Sequence, residues 1–249
     1  MIVLVIAAVA VVCLLLFELI RERSLKRRNM EMLKMCIGVM EADDPGLKGH
    51  TYMVTGLLML FYDFLPFQIK FGLSKDWLEC ASIISDLGLM GIPSEVRNKK
   101  GKLDDDERHL VRNYPEIGVK LMKTMEGLDP IYDWVRYQHE RIDGRGYYGL
   151  KGDEIPVGSR ILAVAKTYAA ITMPRNYRPT LNYEEAVNEL KIVAGTQLDA
   201  ELVECFCNIP LNRINEYMDR TRKTLDSYSA AIATEKQFIV KVKQERSDR

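Results

Sequence analysis

Residues Ile2 to Phe17 form an unbroken apolar run of 16 residues. As a helix that run rises about 24 Å, against about 30 Å for the hydrocarbon core of a bilayer. Met1 and the Leu19-Ile20 pair extend it if the Glu18 carboxylate snorkels to the headgroups. Arg21, Arg23, Lys26, Arg27 and Arg28 follow, opposed only by Glu22. A signal peptide carries its positive charge before the apolar run, and here the charge comes after it. A buried core helix would carry a polar stripe, which this run lacks. The expectation is one transmembrane helix over residues 1–20. Its basic flank would stay inside, making the chain a single-pass protein of the inner, cytoplasmic membrane with residues 21–249 in the cytoplasm.

Past the apolar run, no apolar/polar alternation is long enough for a strand. Helical spacings and helix stops recur instead, and the reading is all-α with short connections. A juxtamembrane helix over residues 21–42 ends at Asp43-Asp44-Pro45-Gly46. A helical domain over residues 43–210 follows. Its first helix runs from His50 to about Phe71, kinked or interrupted at Pro66. The next covers residues 75–89 and ends at Gly88. Asp104 with Glu107, and Asn182 with Glu185, have capping-box spacing, and Asp199 is a third cap. Pro115 reads as the end of the helix that Asp104 starts, and further helices fall near residues 116–126, 130–140, 157–173, 183–193 and 199–208. Residues 211–249 carry apolar positions at spacings of three and four, from Leu211 through Ile214, Met218, Leu225, Tyr228, Ile232 and Ile239 to Val242. Thr221 and Glu235 are poor members of that seam. It suits an amphipathic helix packed on the domain, or a coiled coil that pairs two chains into a homodimer.

Formal net charge is zero, with 35 basic and 35 acidic residues. That argues against a nucleic-acid polymer as partner, whose backbone calls for a basic excess. The five cysteines, Cys13, Cys36, Cys80, Cys205 and Cys207, include no CxxC pair and suit free thiols.

The most specific local signal is Gln138-His139-Glu140-Arg141-Ile142-Asp143-Gly144-Arg145-Gly146-Tyr147-Tyr148. It resembles the HHExxDGxGYP stretch of HD-GYP domains, a branch of the HD phosphohydrolase superfamily. Other segments match in the same order. Asp44-Pro45-Gly46-Leu47-Lys48-Gly49-His50-Thr51 is similar to DPYTxGHS. Ser85-Asp86-Leu87-Gly88-Leu89 with Ile92-Pro93 is similar to HDIGK followed by IP. Leu103 to Gly118 and Gly158 to Arg178 resemble two further blocks, so the likeness covers roughly residues 40–208. It implies an HD-domain helical bundle preceded by the transmembrane helix. In active members it also implies metal-dependent hydrolysis of a phosphodiester, usually in cyclic di-GMP, by hydroxide generated on the metals.

The resemblance fails at the ligands. His50, Asp86 and His139 keep ligand types. Ser85, Tyr114 and Gln138 stand where histidines belong, and Lys166 where an aspartate belongs. Leu89 replaces the family's lysine, Ala169 a second aspartate, and Tyr148 the proline of the loop. One carboxylate and two imidazoles suffice for a single divalent ion at most, since too few anions remain to offset two cations. Lys166 is expected to pair with Asp86 and so to replace a metal contact. The third histidine, His109, is expected in solvent on the charged helix. Glu140, Arg141, Asp143, Gly144, Gly146 and Tyr147 form the loop that family members are thought to use against GGDEF domains. Arg141, Arg145, Lys151, Arg175 and Arg178 are candidate phosphate contacts.

Three functions follow from these residues. The first is a membrane-anchored, catalytically inactive signalling or scaffold module without a cofactor, partnered by a GGDEF-type or other signalling protein. The second is an active phosphodiesterase with a reduced, single-metal site. The third is a nucleotide sensor that does not hydrolyse.

Overall fold

The computed structural model describes residues 2–43, 49–97, 99, 101–124, 127–173 and 180–247, with the backbone alone for residues 2–10, 90, 232, 234–247 and scattered positions of the first helix. Asp44 to Lys48, Arg175 and Arg178 lie outside the described residues. The chain divides into two units, residues 1–36 and 37–249. Among the described residues the regular structure is helical, with one isolated bridge between Ala194 and Leu198.

Helix α1 spans Ile2–Asp43. In the first unit its apolar side chains Val11, Val12, Leu14, Leu15, Leu16, Phe17 and Ile20 are exposed. Among the described residues no helix is long and apolar enough to cross a membrane. The side chains of residues 2–10, on which half of the expected span falls, are outside that description.

The second unit is built around α2 (His50–Phe64), whose Val54, Leu57, Leu58 and Phe61 are fully buried. It packs between α4 (Lys75–Ser85), α9 (Val157–Thr172) and α12 (Leu211–Ser247). Phe61 meets Phe206 of α11 (Ala200–Cys207) edge-on at 5.1 Å, and Tyr168 of α9 meets the same ring at 4.9 Å. Pro66 interrupts the chain as expected. Helix α2 stops at Phe64, and a single turn, α3 (Phe67–Lys70), restarts after the proline.

Three boundaries differ from the sequence expectation. Helix α4 stops at Ser85, and residues Leu87–Gly91 form a tight 3-10 turn before α5 (Ser94–Arg97). The chain turns early because Gly88 presses on the next element. A Cβ there would sit 1.9 Å from the Tyr114 carbonyl oxygen. Pro115 begins a helix instead of ending one. Helix α6 (Asp105–Arg112) ends at Asn113, and α7 (Tyr114–Met122) carries the proline in its first turn, where the missing N–H costs nothing. The helix expected over residues 130–140 shrinks to α8 (Tyr132–Arg136) after a 3-10 turn at Asp129–Ile131.

The expected caps are present. Asp104 and Glu107 exchange bonds at the start of α6, as do Asn182 and Glu185 at α10 (Tyr183–Val193). Asp199 accepts from Leu202 N–H at α11. Asn182→Ala should lower stability by about 1 kcal/mol, read as a shift in urea midpoint at unchanged slope.

Helix α12 lies on α2 through Tyr217, whose ring covers Gly56, and Leu225, whose side chain covers Gly49. Tyr228 meets Tyr52 edge-on at 6.3 Å. Ile214 and Thr221 are buried, so the residue that weakens the seam as a coiled coil belongs to the contact with the domain. That much of α12 follows the packed, amphipathic pattern. Ile239 and Val242 carry no described side chains.

Candidate functional site

Four elements bring the substituted ligand positions together. The end of α4 supplies Ser85 and Asp86, the start of α7 supplies Tyr114, the chain leaving α8 supplies Gln138 and His139, and α9 supplies Lys166. Lys166 faces inward because its neighbours on the same helix face, Leu162 and Ala169, are fully buried. Only 9% of the lysine is exposed.

Its Nζ donates to Asp86 Oδ1 at 2.6 Å, to Gln138 Oε1 at 2.5 Å and to Ser85 Oγ at 3.1 Å. An ammonium group has three protons, and all three are used. Gln138 Nε2 donates to the Ser85 carbonyl at 3.0 Å, which fixes the orientation of the amide. The Ser85 hydroxyl donates to the Ser82 carbonyl at 2.8 Å. Tyr114 OH lies 3.3 Å from Asp86 Oδ1 and also bonds His139 Nε2. One proton per bond is satisfied when His139 Nε2–H donates to the phenol and the phenol donates to Asp86. Every sequence substitution in the centre is therefore part of one hydrogen-bonded network.

The electrostatics follow from burial. Burial alone would raise the Asp86 carboxyl, but the Lys166 ammonium, His50 and His139 together hold it below its ordinary value. Burial, with the Lys166 charge adding to it, depresses His139 to about 3, so the imidazole is neutral. Burial and the neighbouring Asp86 raise the Tyr114 phenol well above its ordinary value. The centre holds one cation, one anion and neutral donors.

These residues do not fit a cluster of divalent metals. A doubly charged ion about 4 Å from the Lys166 ammonium would meet roughly 8 kcal/mol of repulsion at an effective dielectric near 20. The lone pairs that an ion needs are already engaged on Asp86 Oδ1 by Lys166 and Tyr114. Asp86 Oδ2 is buried without a hydrogen-bond partner, and His50 on α2 is the nearby imidazole whose charge Asp86 feels. Among the described residues no group of three or more ligand-type side chains is placed to hold an ion.

The loop after His139 turns its polar atoms inward. Both Glu140 carboxylate oxygens accept backbone N–H bonds, from Tyr148 at 2.6 Å and Leu150 at 2.8 Å. Arg141 holds Asp143 through paired bonds of 2.7 and 3.0 Å and reaches Gln197 at 3.0 Å. Asp143 also accepts from Arg145 N–H, and its backbone donates to the Thr196 carbonyl, tying the loop to the turn before α11. Arg141, proposed above as a phosphate contact, is thus committed to a carboxylate, whereas Arg145 and Lys151 are exposed at the surface. Gly144 has φ +80, open to glycine at little cost. Gly146 is needed for approach, since a Cβ there would lie 2.6 Å from Glu140 Cα. Tyr147 stacks on His139 at 5.0 Å, closing the centre from outside.

Sequence reasoning missed Glu41. This carboxylate in the last turn of α1 is buried, and its two oxygens accept from Thr51 N–H at 2.9 and 3.1 Å. It caps α2 where Gly49 offers no side chain. Burial, reinforced by Asp86, raises it to about 7. Nothing in the local pattern marks it, because the partner lies ten residues further on, at the start of the next helix.

The HD domain family matches residues 71–202, slightly more than half of the 249. A cyclic di-GMP phosphodiesterase of Pseudomonas aeruginosa is 37% identical over 112 residues, which is 44% of this chain and 27% of that protein. A probable cyclic di-GMP phosphodiesterase of Vibrio cholerae is 30% identical over 161 residues, 61% of this chain and 36% of that protein. The chain therefore spans about a third, or less, of these relatives' own length. The solved structure of Bd1817, an HDG"Y"P protein from Bdellovibrio bacteriovorus, superposes with TM-score 0.49 and 15% identity over 64% of this chain and 51% of that one. The family match runs through α4, α7, α8 and α9, the same helices that bring Asp86, Tyr114, His139 and Lys166 to one point, and the chain belongs to the HD-domain family.

Proposed function

We propose that this chain is a catalytically silent HD-GYP-type module that works by binding and signalling at the inner face of a membrane. One observation carries the reading. The Lys166 ammonium takes the place in which the resemblance puts a metal-binding aspartate, and it uses all its protons on Asp86, Gln138 and Ser85. The phosphodiesterase activity named for the relatives would need an activated water, and this centre offers the neutral His139 imidazole, the Tyr114 phenol and an Asp86 carboxylate paired with Lys166, with His50 beside it. Anchoring is supported by the exposed apolar side chains Val11, Val12, Leu14, Leu15, Leu16, Phe17 and Ile20 of α1, followed in sequence by the basic residues from Arg21 to Arg28. The partner in this reading is a signalling protein, of GGDEF type or another, or a second copy of the chain along α12.

The test is metal analysis and cyclic di-GMP turnover on the purified full chain. The expected result is substoichiometric metal and no hydrolysis with added manganese or iron. Stoichiometric metal together with turnover that disappears in His50→Ala would establish the single-metal phosphodiesterase instead.

A further inference from the structure

A buried line of hydroxyl groups joins the centre to the place where α1 meets α2. Thr51 and Thr55 stand one turn apart on α2, and both are buried. Glu41 of α1 holds the first through its backbone N–H, at 2.9 and 3.1 Å. The second places its hydroxyl 3.0 Å from Ser82 Oγ on α4. The Ser82 carbonyl accepts from the Ser85 hydroxyl at 2.8 Å, and that hydroxyl accepts from Lys166 at 3.1 Å. Packing of α2 is already supplied by Val54, Leu57, Leu58 and Phe61. A buried hydroxyl costs stability unless it is bonded, so each member of the line holds its neighbour in place.

Helix α12 fastens the outer end of this line. A Cβ at Gly38 of α1 would lie 2.8 Å from the Tyr228 ring, and Tyr52 of α2 meets the same ring edge-on at 6.3 Å. Tyr228 therefore touches the end of α1 and the start of α2 at once. Leu225 and Tyr217 lie three and eleven residues before it, on one face of α12, and fill the space above Gly49 and Gly56. Side chains seated on glycines admit one register. A slip of one turn, about 5.4 Å, would bring them against side chains where the glycines leave room.

We infer that α12 and the threonines of α2 form a mechanical relay, through which a displacement of the end of α1 alters the order of the Lys166–Asp86 centre. Tyr228 keeps the end of α1 against α2, and the line from Thr51 through Thr55, Ser82 and Ser85 delivers the shift to Lys166. Packed elements of this kind change between discrete arrangements. The relay goes beyond the proposed function and does not depend on it. It operates whether the centre is silent or hydrolytic, so metal content and turnover judge that reading and leave this one untouched.

Amide hydrogen exchange of the full chain in detergent micelles, read by mass spectrometry, tests it. Tyr228→Ala empties the seat between Gly38 and Tyr52. Residues 50–56, 85–89 and 136–140 should then exchange about tenfold faster, while residues 183–207 keep the parent rate. Thr55→Val keeps the branched shape and removes the hydroxyl. In that background Tyr228→Ala should still speed residues 50–56, but the response at 85–89 and 136–140 should shrink to about twofold or less. Tyr228→Leu keeps apolar bulk without the ring. It should give the same pattern at smaller amplitude, and it serves if the alanine variant does not fold. Unchanged exchange at residues 85–89 and 136–140 overturns the relay. So does an equal rise over residues 183–207, the mark of a general loss of stability, or a response at the centre undiminished by Thr55→Val.

Discussion

Lys166→Met should destabilise the folded chain by about 3–5 kcal/mol, the usual cost of leaving a buried charge without its partner. The substitution nearly preserves volume, so little of the loss can be assigned to packing. It strands the Asp86 carboxylate, 6% exposed, with a single hydrogen bond from Tyr114 at 3.3 Å, and it leaves Gln138 Oε1 without a donor. Asp86→Asn in the same background removes the stranded charge and should recover most of the loss. A double-mutant cycle by urea unfolding reads the coupling directly. If Lys166→Met costs less than about 1 kcal/mol, or costs as much in the Asp86→Asn background as in the parent, the ion pair is not what holds the centre together.

The second large effect is acid sensitivity centred on His139. Its folded value is about 3 against an ordinary 6.5, so the unfolded chain takes up a proton that the folded chain refuses. Stability from this group is complete above pH 6.5 and is lost as pH falls toward 3, by at most about 5 kcal/mol. Glu41 acts in the opposite direction. Its folded value of about 7 lies above its ordinary 4.5, so the folded chain gains stability as pH falls from 7 to 4.5, by at most about 3 kcal/mol. The wild type should therefore change little between pH 7 and 5 and fail steeply below. Removing Glu41 titration in Glu41→Gln exposes the His139 contribution, so acid unfolding should begin at higher pH. Urea midpoints measured between pH 8 and 3 for the two proteins check this. Parallel curves would mean that Glu41 does not titrate in that window.

Much of the fold was legible wherever local chemistry decides it. Asp104 with Glu107 and Asn182 with Glu185 satisfy the first N–H groups of their own helices, so spacing alone identifies them. The Lys166–Asp86 pair was legible for a different reason. Ordered motifs aligned the chain with a family, and a lysine at a ligand position has few places to put its charge. What escaped the sequence depends on contacts made far along the chain. Pro115 fits the end of one helix as well as the start of the next, and only the seating of Gly88 against Tyr114 selects the second. Glu140 looks like a surface acid beside a histidine, yet it is the anchor for two backbone N–H groups of the loop. Tyr147 was grouped with the loop's partner contacts, but its ring is committed to His139 and Arg112. The cap that Glu41 places on α2 joins two helices across ten residues of sequence, a separation that no local spacing marks.

The buried cation of this fold is delivered by translation and not by the cell's metal supply. A helix junction held by divalent ions is assembled only as far as those ions are at hand, and a chelator can take them away. Here the charge is tethered by four methylenes to α9, cannot dissociate, and arrives with every copy synthesised. Withdrawal of divalent metal therefore leaves the Lys166–Asp86 contact in place.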